Sequence, residues 1–226
     1  MSIPPAPILR LFVLGLLLAA SPDGGQAQER QHHGVAFEEW IRNTFFSGYQ
    51  PEGYTQKWDI PARANPRHGR IPVNPKATRY GRALDLGDAL RQFDITEPFW
   101  LIIGYWEPSI RGRRLVNITP IRVEPVLWRK LWGPVTRADI ENLDQLIKDR
   151  SLTPEEVRRR VQAMKSGPPF SESLITFNPK IDWKTQRRLQ CGLRFADVFD
   201  VLAPEADPER QKHPALWGVV FEGILE

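Results

Sequence analysis

The run Phe99-Trp100-Leu101-Ile102-Ile103-Gly104-Tyr105-Trp106 constrains this chain more than any other feature. Eight residues without a charge and without alternation fit a strand covered on both faces, because a half-exposed strand would place a polar residue at every second position. Such a strand needs material on either side of its sheet, which points to a layered α/β domain with a mixed sheet. The run falls well short of the ~20 apolar residues that span a bilayer, and 21 prolines argue against a long coiled coil or a simple bundle. The length, 226 residues, fits a single domain. Cys191 is the only cysteine, which excludes an intramolecular disulfide, a thiolate zinc cage and an iron–sulfur cluster; four histidines make a His-rich metal site a poor fit.

The remaining elements are read from spacing. Phe37, Ile41 and Phe45 recur every four residues with Trp40 beside them, predicting a helix over 34–46 in which Glu38 or Glu39 sits at the edge of the buried face. Alternation predicts a strand over 54–60, with Trp58 and Ile60 on one face and Lys57 and Asp59 on the other. A second short strand over 70–76 places Asn74 and Lys76 on a common face; its two prolines confine it to an edge or an irregular position. A short strand over 83–86 runs into a helix over 87–93, and 114–123 is a further strand. Thr136 with Asp139, and Thr153 with Pro154 and Glu156, mark the starts of helices over 136–149 and 153–165. Strands over 173–178 and 217–222 and a helix over 194–202 complete the reading.

The beginning of the chain has its own pattern. Arg10 precedes the apolar run of residues 11–20, and Gly25-Gln26-Ala27 offers small residues at alternate positions. That is the layout of a secretory signal over residues 1–27, leaving a single domain over 28–226. An authentic signal places the protein in the periplasm or outside the cell; a buried N-terminal helix, or a start assigned too far upstream, leaves it in the cytoplasm. In neither case does the mature chain carry a stable membrane span.

Charge is clustered rather than merely in excess. Between Ile60 and Leu84 there are six cations (Arg63, Arg67, Arg70, Lys76, Arg79 and Arg82) and no acid. Pro108 to Val123 again lacks acids and carries Arg111, Arg113, Arg114 and Arg122. A third group comprises Lys180, Lys184, Arg187, Arg188 and Arg194. Clusters of this kind suit a polyanion, whose condensed counterions are released as its phosphates are neutralised; a solvated basic face is the plainer reading. Arginine grips phosphate with paired donors, and Gln190 beside Arg187 and Arg188 adds an amide of the kind that reads adenine.

Among these cations lies one constellation suited to chemistry. Asp59 ends a strand; Asn74 and Lys76 lie on the polar face of the next; Glu38 sits on the preceding helix; Asp85 and Asp88 follow. Neighbouring strands are only ~4.8 Å apart, so an acid and a lysine so placed can face one scissile phosphate. Hydrolysis of a phosphodiester calls for oxygen ligands to Mg²⁺ and a cation near the attacking water. Each residue also has a bland role open to it, as a turn residue, a surface cation or a helix cap.

The segments Gly34-Val35-Ala36-Phe37-Glu38, Trp58-Asp59-Ile60-Pro61, Val73-Asn74-Pro75-Lys76 and Leu86–Phe93 together resemble the PD-(D/E)XK nuclease superfamily, the fold of many restriction endonucleases. The resemblance covers about residues 34–106. It implies an α/β, restriction endonuclease-like mixed β-sheet core flanked by helices, and a Mg²⁺-dependent DNA endonuclease, with a homodimer as one arrangement open to it. It further implies Asp59 as metal-binding acid, Lys76 as the lysine that orients the nucleophilic water, Glu38 as an assisting helical acid, and Asn74 at a ligand position. Asn74 is a departure, since the superfamily usually has Asp or Glu there; an amide oxygen ligates without charge. Arg63, Arg67, Arg79, Arg82, Arg187, Arg188 and Gln190 are the expected DNA contacts. Two alternatives are a catalytically degenerate, DNA-binding relative and an exported envelope protein whose basic face binds anionic polymer or lipid.

Overall fold

The computed structural model of the chain describes residues 36–51, 57–182 and 186–225. The expected leader therefore lies outside the described residues, as do residues 54–56 of the expected strand over 54–60. Among the described residues, no helix is long and apolar enough to cross a membrane.

Two three-stranded sheets and their flanking helices make a mixed α/β architecture. In the first sheet, β3 (Phe99–Ser109) lies between β1 (Val73–Arg79), which runs parallel to it, and β4 (Gly112–Val123), which is antiparallel. β3 is the uncharged run of the sequence, extended by three residues, and both of its faces are covered. Leu101, Ile103 and Tyr105 enter one hydrophobic cluster with Trp128, Trp132, Leu143 and Ile147. Ile102 enters a second, with Phe37, Ile41 and Val73. β1 carries Pro75 and lies at the sheet's edge, where a missing N–H costs no ladder bond. The second sheet is antiparallel, in the order β2 (Leu84–Asp88), β6 (Arg187–Leu193), β5 (Ile175–Ile181). The segment holding Arg187, Arg188 and Gln190 is thus its central strand.

A helix through residues 36–45 (α1) packs on the first sheet at Gly104. A methyl group on Gly104 would lie 2.8 Å from Phe37 Cζ, so only a bare Cα admits the ring. Crossing from β1 back to the parallel β3, the chain passes through β2 and the short helix α2 (Ala89–Phe93). After β4 come α3 (Pro125–Leu131), α4 (Arg137–Lys148) and α5 (Pro154–Lys165). The start signals of the last two act as read. Thr136 and Asp139 form a reciprocal capping box, and Thr153 accepts from Glu156 N at 3.2 Å.

Several elements differ from expectation. Over 57–60 there is no continuous strand; Ile60 alone forms an antiparallel bridge, to Val73. The helix expected over 194–202 is a single turn, α6 (Phe195–Asp197), that widens into a π-helical turn at Val198–Leu202. The strand expected over 217–222 is a small hairpin of β7 (Ala215–Leu216) and β8 (Val219–Val220). From this hairpin Trp217 stacks on His68, with centroids 3.7 Å apart, and Phe221 meets Trp40 of α1 edge-on at 5.0 Å. Leu225 then pairs with Arg113 on β4.

Candidate functional site

The two sheets meet where β1 passes β2, and a cavity of about 280 Å³ opens at this seam. Asp59, Asn74 and Lys76 all line it, as do Lys57, Asp85, Asp88, Arg91, Gln92 and Gln190. Register explains the gathering. Asn74 pairs with Leu101 and Lys76 with Ile103, so both side chains lie on the face of the first sheet that looks toward the second. Asp59 is held from both sides. Ile60 exchanges two backbone hydrogen bonds with Val73, at 3.1 and 2.8 Å. Trp58, nearly buried, packs on Phe99 and donates Nε1–H to Glu97 Oε1 at 3.0 Å. Between these anchors Asp59 Oδ2 accepts from Lys76 Nζ at 3.0 Å. Both side chains remain partly solvated, so this is an orienting contact rather than a large source of stability.

Glu38 projects from α1 and forms a long ion pair with Arg42, at 3.7 Å. Burial raises its carboxyl from the ordinary value of 4.5 to about 7; the Asp59 charge pushes the same way, while Lys76 and Arg42 oppose it. Asp85 and Asp88 carry structural duties. The Asp85 carboxylate receives Gly87 N at 2.9 Å, where β2 bulges and Gly87 adopts φ +92°. Asp88 caps α2 by accepting from Arg91 N, also at 2.9 Å. Cys191 is buried on β6; desolvation, with Asp85 and Asp88 nearby, holds its thiol well above the usual range.

Of the expected DNA contacts, Gln190 reaches the cavity. Arg63, Arg67, Arg79, Arg82 and Arg188 are exposed. Arg187 needs correction: it is buried, and its guanidinium donates to the carbonyls of Ile147, Asp149 and Leu152, tying β6 to α4 and the loop after it. As the first residue of β6 it points inward, while Arg188 points out.

Three lining residues were missed by the sequence reading. Lys57 shares the alternation of Asp59, a signal that was available. Arg91 and Gln92 stand three and four positions after Asp88, the spacing that puts residues on one helical face. Gln92 is nearly buried, and its Oε1 has no hydrogen-bond partner.

Among the described residues, no three Asp, Glu, His or Cys side chains are grouped closely enough to hold a metal ion by themselves. The oxygen donors that line the cavity beside Lys76 are the Asp59 carboxylate and the Asn74 amide; Glu38 is not among the lining residues, although its carboxyl feels the charges of both Asp59 and Lys76. Such a set suits Mg²⁺, which is commonly held by one or two carboxylates and completed by water and substrate phosphate. No family model, curated protein or solved structure matches the chain.

Proposed function

We propose that the protein is a Mg²⁺-dependent DNA endonuclease of restriction endonuclease-like fold, with the seam cavity as its active site. The observation that carries this reading is the convergence of Asp59, Asn74 and Lys76, from segments 15 and 17 residues apart, on one polar cavity. Mg²⁺ bound by Asp59 and Asn74 would supply Lewis-acid activation of water and neutralise charge on the scissile phosphate, with Glu38 outside the cavity lining. The chain's own groups do the rest. The Asp59 contact holds the Lys76 ammonium at the cavity wall, where it hydrogen-bonds the attacking water and opposes the negative charge that grows on phosphorus-bound oxygen. Water's oxygen bonds to phosphorus as the bond to the leaving sugar oxygen breaks; the water gives up its proton to bulk solvent, and the leaving oxygen takes one from it. Arg91 and Lys57, the latter ion-paired with Glu97 at 2.8 Å, also line the cavity and would add positive charge for the flanking phosphates. A single such cavity acts on one strand at a time, so cutting both strands of a duplex takes two chains or two visits.

A second reading is favoured by Asn74 itself. With an uncharged amide where the superfamily usually has an acid, the cavity would bind DNA without cutting it. Plasmid incubation with Mg²⁺, comparing the parent with Asp59→Ala and Lys76→Ala, separates the two. Nicking by the parent that both substitutions abolish supports the nuclease. Salt-dependent retention of DNA without nicking supports the second reading. Equal nicking by all three removes these residues from any mechanism.

A further inference from the structure

The hairpin joining β3 to β4 turns through Ile110 and Arg111, with Ser109 paired to Gly112. Ile110 is wholly exposed, far more than any other large apolar side chain among the described residues except Val126. Arg111 beside it and Arg114, two rungs back from the tip and opposite Glu107, are exposed, and neither has a carboxylate within ion-pair distance among the described residues. The base of this tip is braced. Arg113 exchanges backbone hydrogen bonds with Leu225, at 3.2 and 2.8 Å, and its guanidinium lies 4.3 Å from the Trp106 ring. Gly112 approaches Ile224 so closely that a methyl group there would sit 2.9 Å from Ile224 Cγ2. A braced ribbon thus ends in one bare aliphatic side chain next to Arg111, with Arg113 and Arg114 one and two rungs further back.

Apolar wedges flanked by arginine are what minor-groove binders push between base pairs, with arginine drawn to the groove's negative potential. We infer that the β3–β4 hairpin is a DNA-deforming element, its Ile110 entering the minor groove and wedging between adjacent base pairs. The inference rests on DNA being the partner. Geometry is consistent with both contacts on one duplex: Lys76 pairs with Ile103, six residues before Ser109 on β3, which is roughly 20 Å at ~3.3 Å per residue, against the ~34 Å of one helical turn. A membrane is the less favoured occupant. Val220 and Ile224, which line a cavity with Ser109 and Arg114, are only about two-fifths exposed. One bare isoleucine is far less than the acyl chain plus second signal that stable lipid anchoring takes.

The test uses the full chain and a duplex of about 30 base pairs carrying a fluorophore at each end, in EDTA so that the duplex stays intact. End-to-end energy transfer reads bending, and titration at several salt concentrations reads affinity. The parent bends the duplex; Ile110→Ser binds at least about tenfold more weakly and leaves it straight, while Ile110→Phe keeps the bend. Arg111→Ala lowers the salt slope by about one. A parent that binds without bending, or an Ile110→Ser that bends equally, overturns the wedge and leaves the DNA reading standing. A parent that binds no duplex overturns both; loss on Ile110→Ser of binding to phosphatidylserine-containing vesicles would then assign the tip to a membrane.

Discussion

Placing a methyl group on Gly104 tests how α1 is seated and, through it, where Glu38 stands. The new carbon would meet three atoms of the Phe37 ring at 2.8 to 2.9 Å. Ordinary contact between carbons begins near 3.5 Å, so ring and strand must part by about 0.7 Å. The ring has little room to turn aside: Phe37 is fully buried and lies against Trp40, centroids 6.1 Å apart. Overpacking of this kind costs about 1–3 kcal/mol. For a chain of this size that lowers Tm by roughly 2 to 12 °C, at ~2–4 °C per kcal/mol. Chemical denaturation of Gly104→Ala, Phe37→Leu and the double variant measures it. The smaller side chain makes room for the methyl group, so the pair should lose at least about 0.5 kcal/mol less than the sum of its parts. Gly167→Ala is the control, since nothing lies within 4 Å of the position its methyl group would take. A Gly104→Ala within about 0.5 kcal/mol of the parent, or strict additivity in the double variant, would refute the close contact of α1 with β3.

Two further predictions concern charge. With its folded pKa raised from 4.5 to about 7, the native state holds a proton at Glu38 that the unfolded chain releases. The associated stability is fully present below pH 4.5 and is lost as pH rises through about 7, a change of up to about 3 kcal/mol. Glu38→Gln should therefore flatten the difference in unfolding free energy between about pH 5 and about pH 8, and an unchanged pH profile would count against the burial of this carboxyl. Arg187→Ala, which strips the donors from three inward-facing carbonyls, should cost about 2–4 kcal/mol in urea denaturation. Arg188→Ala, on the solvent side of the same strand, should stay within about 0.5 kcal/mol. Equal losses from the two would contradict the assigned facing of β6.

What could be read from the chain was whatever a short stretch decides alone. The two-sided burial of β3 follows from a run without charge, and α4 and α5 follow from cap residues that act within three positions. The grouping of Asp59, Asn74 and Lys76 was legible because alternation set their faces and a short connection kept their segments adjacent. The second sheet was not legible as a sheet. β2 pairs with β6 about 100 residues later, and nothing local in Leu84–Asp88 names that partner. For the same reason Arg187 reads in sequence as one more cation: only the position of α4 and its following loop turns its guanidinium into a brace. α3 escaped notice because a proline and an uncapped Glu124 look like the end of a strand, while the burial of Trp128 and Leu131 that holds the helix is tertiary. Over 57–60 the alternation is real, but only Ile60 finds a partner strand.

The aromatic contact between Trp40 and Phe221 also bears on synthesis. The two rings are 181 positions apart in the chain. At a ribosomal pace of ~5–20 residues per second, α1 emerges roughly ten to forty seconds before the tail that packs against it exists. Throughout that interval Trp40, Phe45 and the His68 ring lack the indole and phenyl groups that later cover them. A nascent chain must therefore keep this greasy helix from sticking elsewhere, and chaperone occupancy measured along translating ribosomes should peak before residue 217 and fall once the closing hairpin has cleared the exit tunnel.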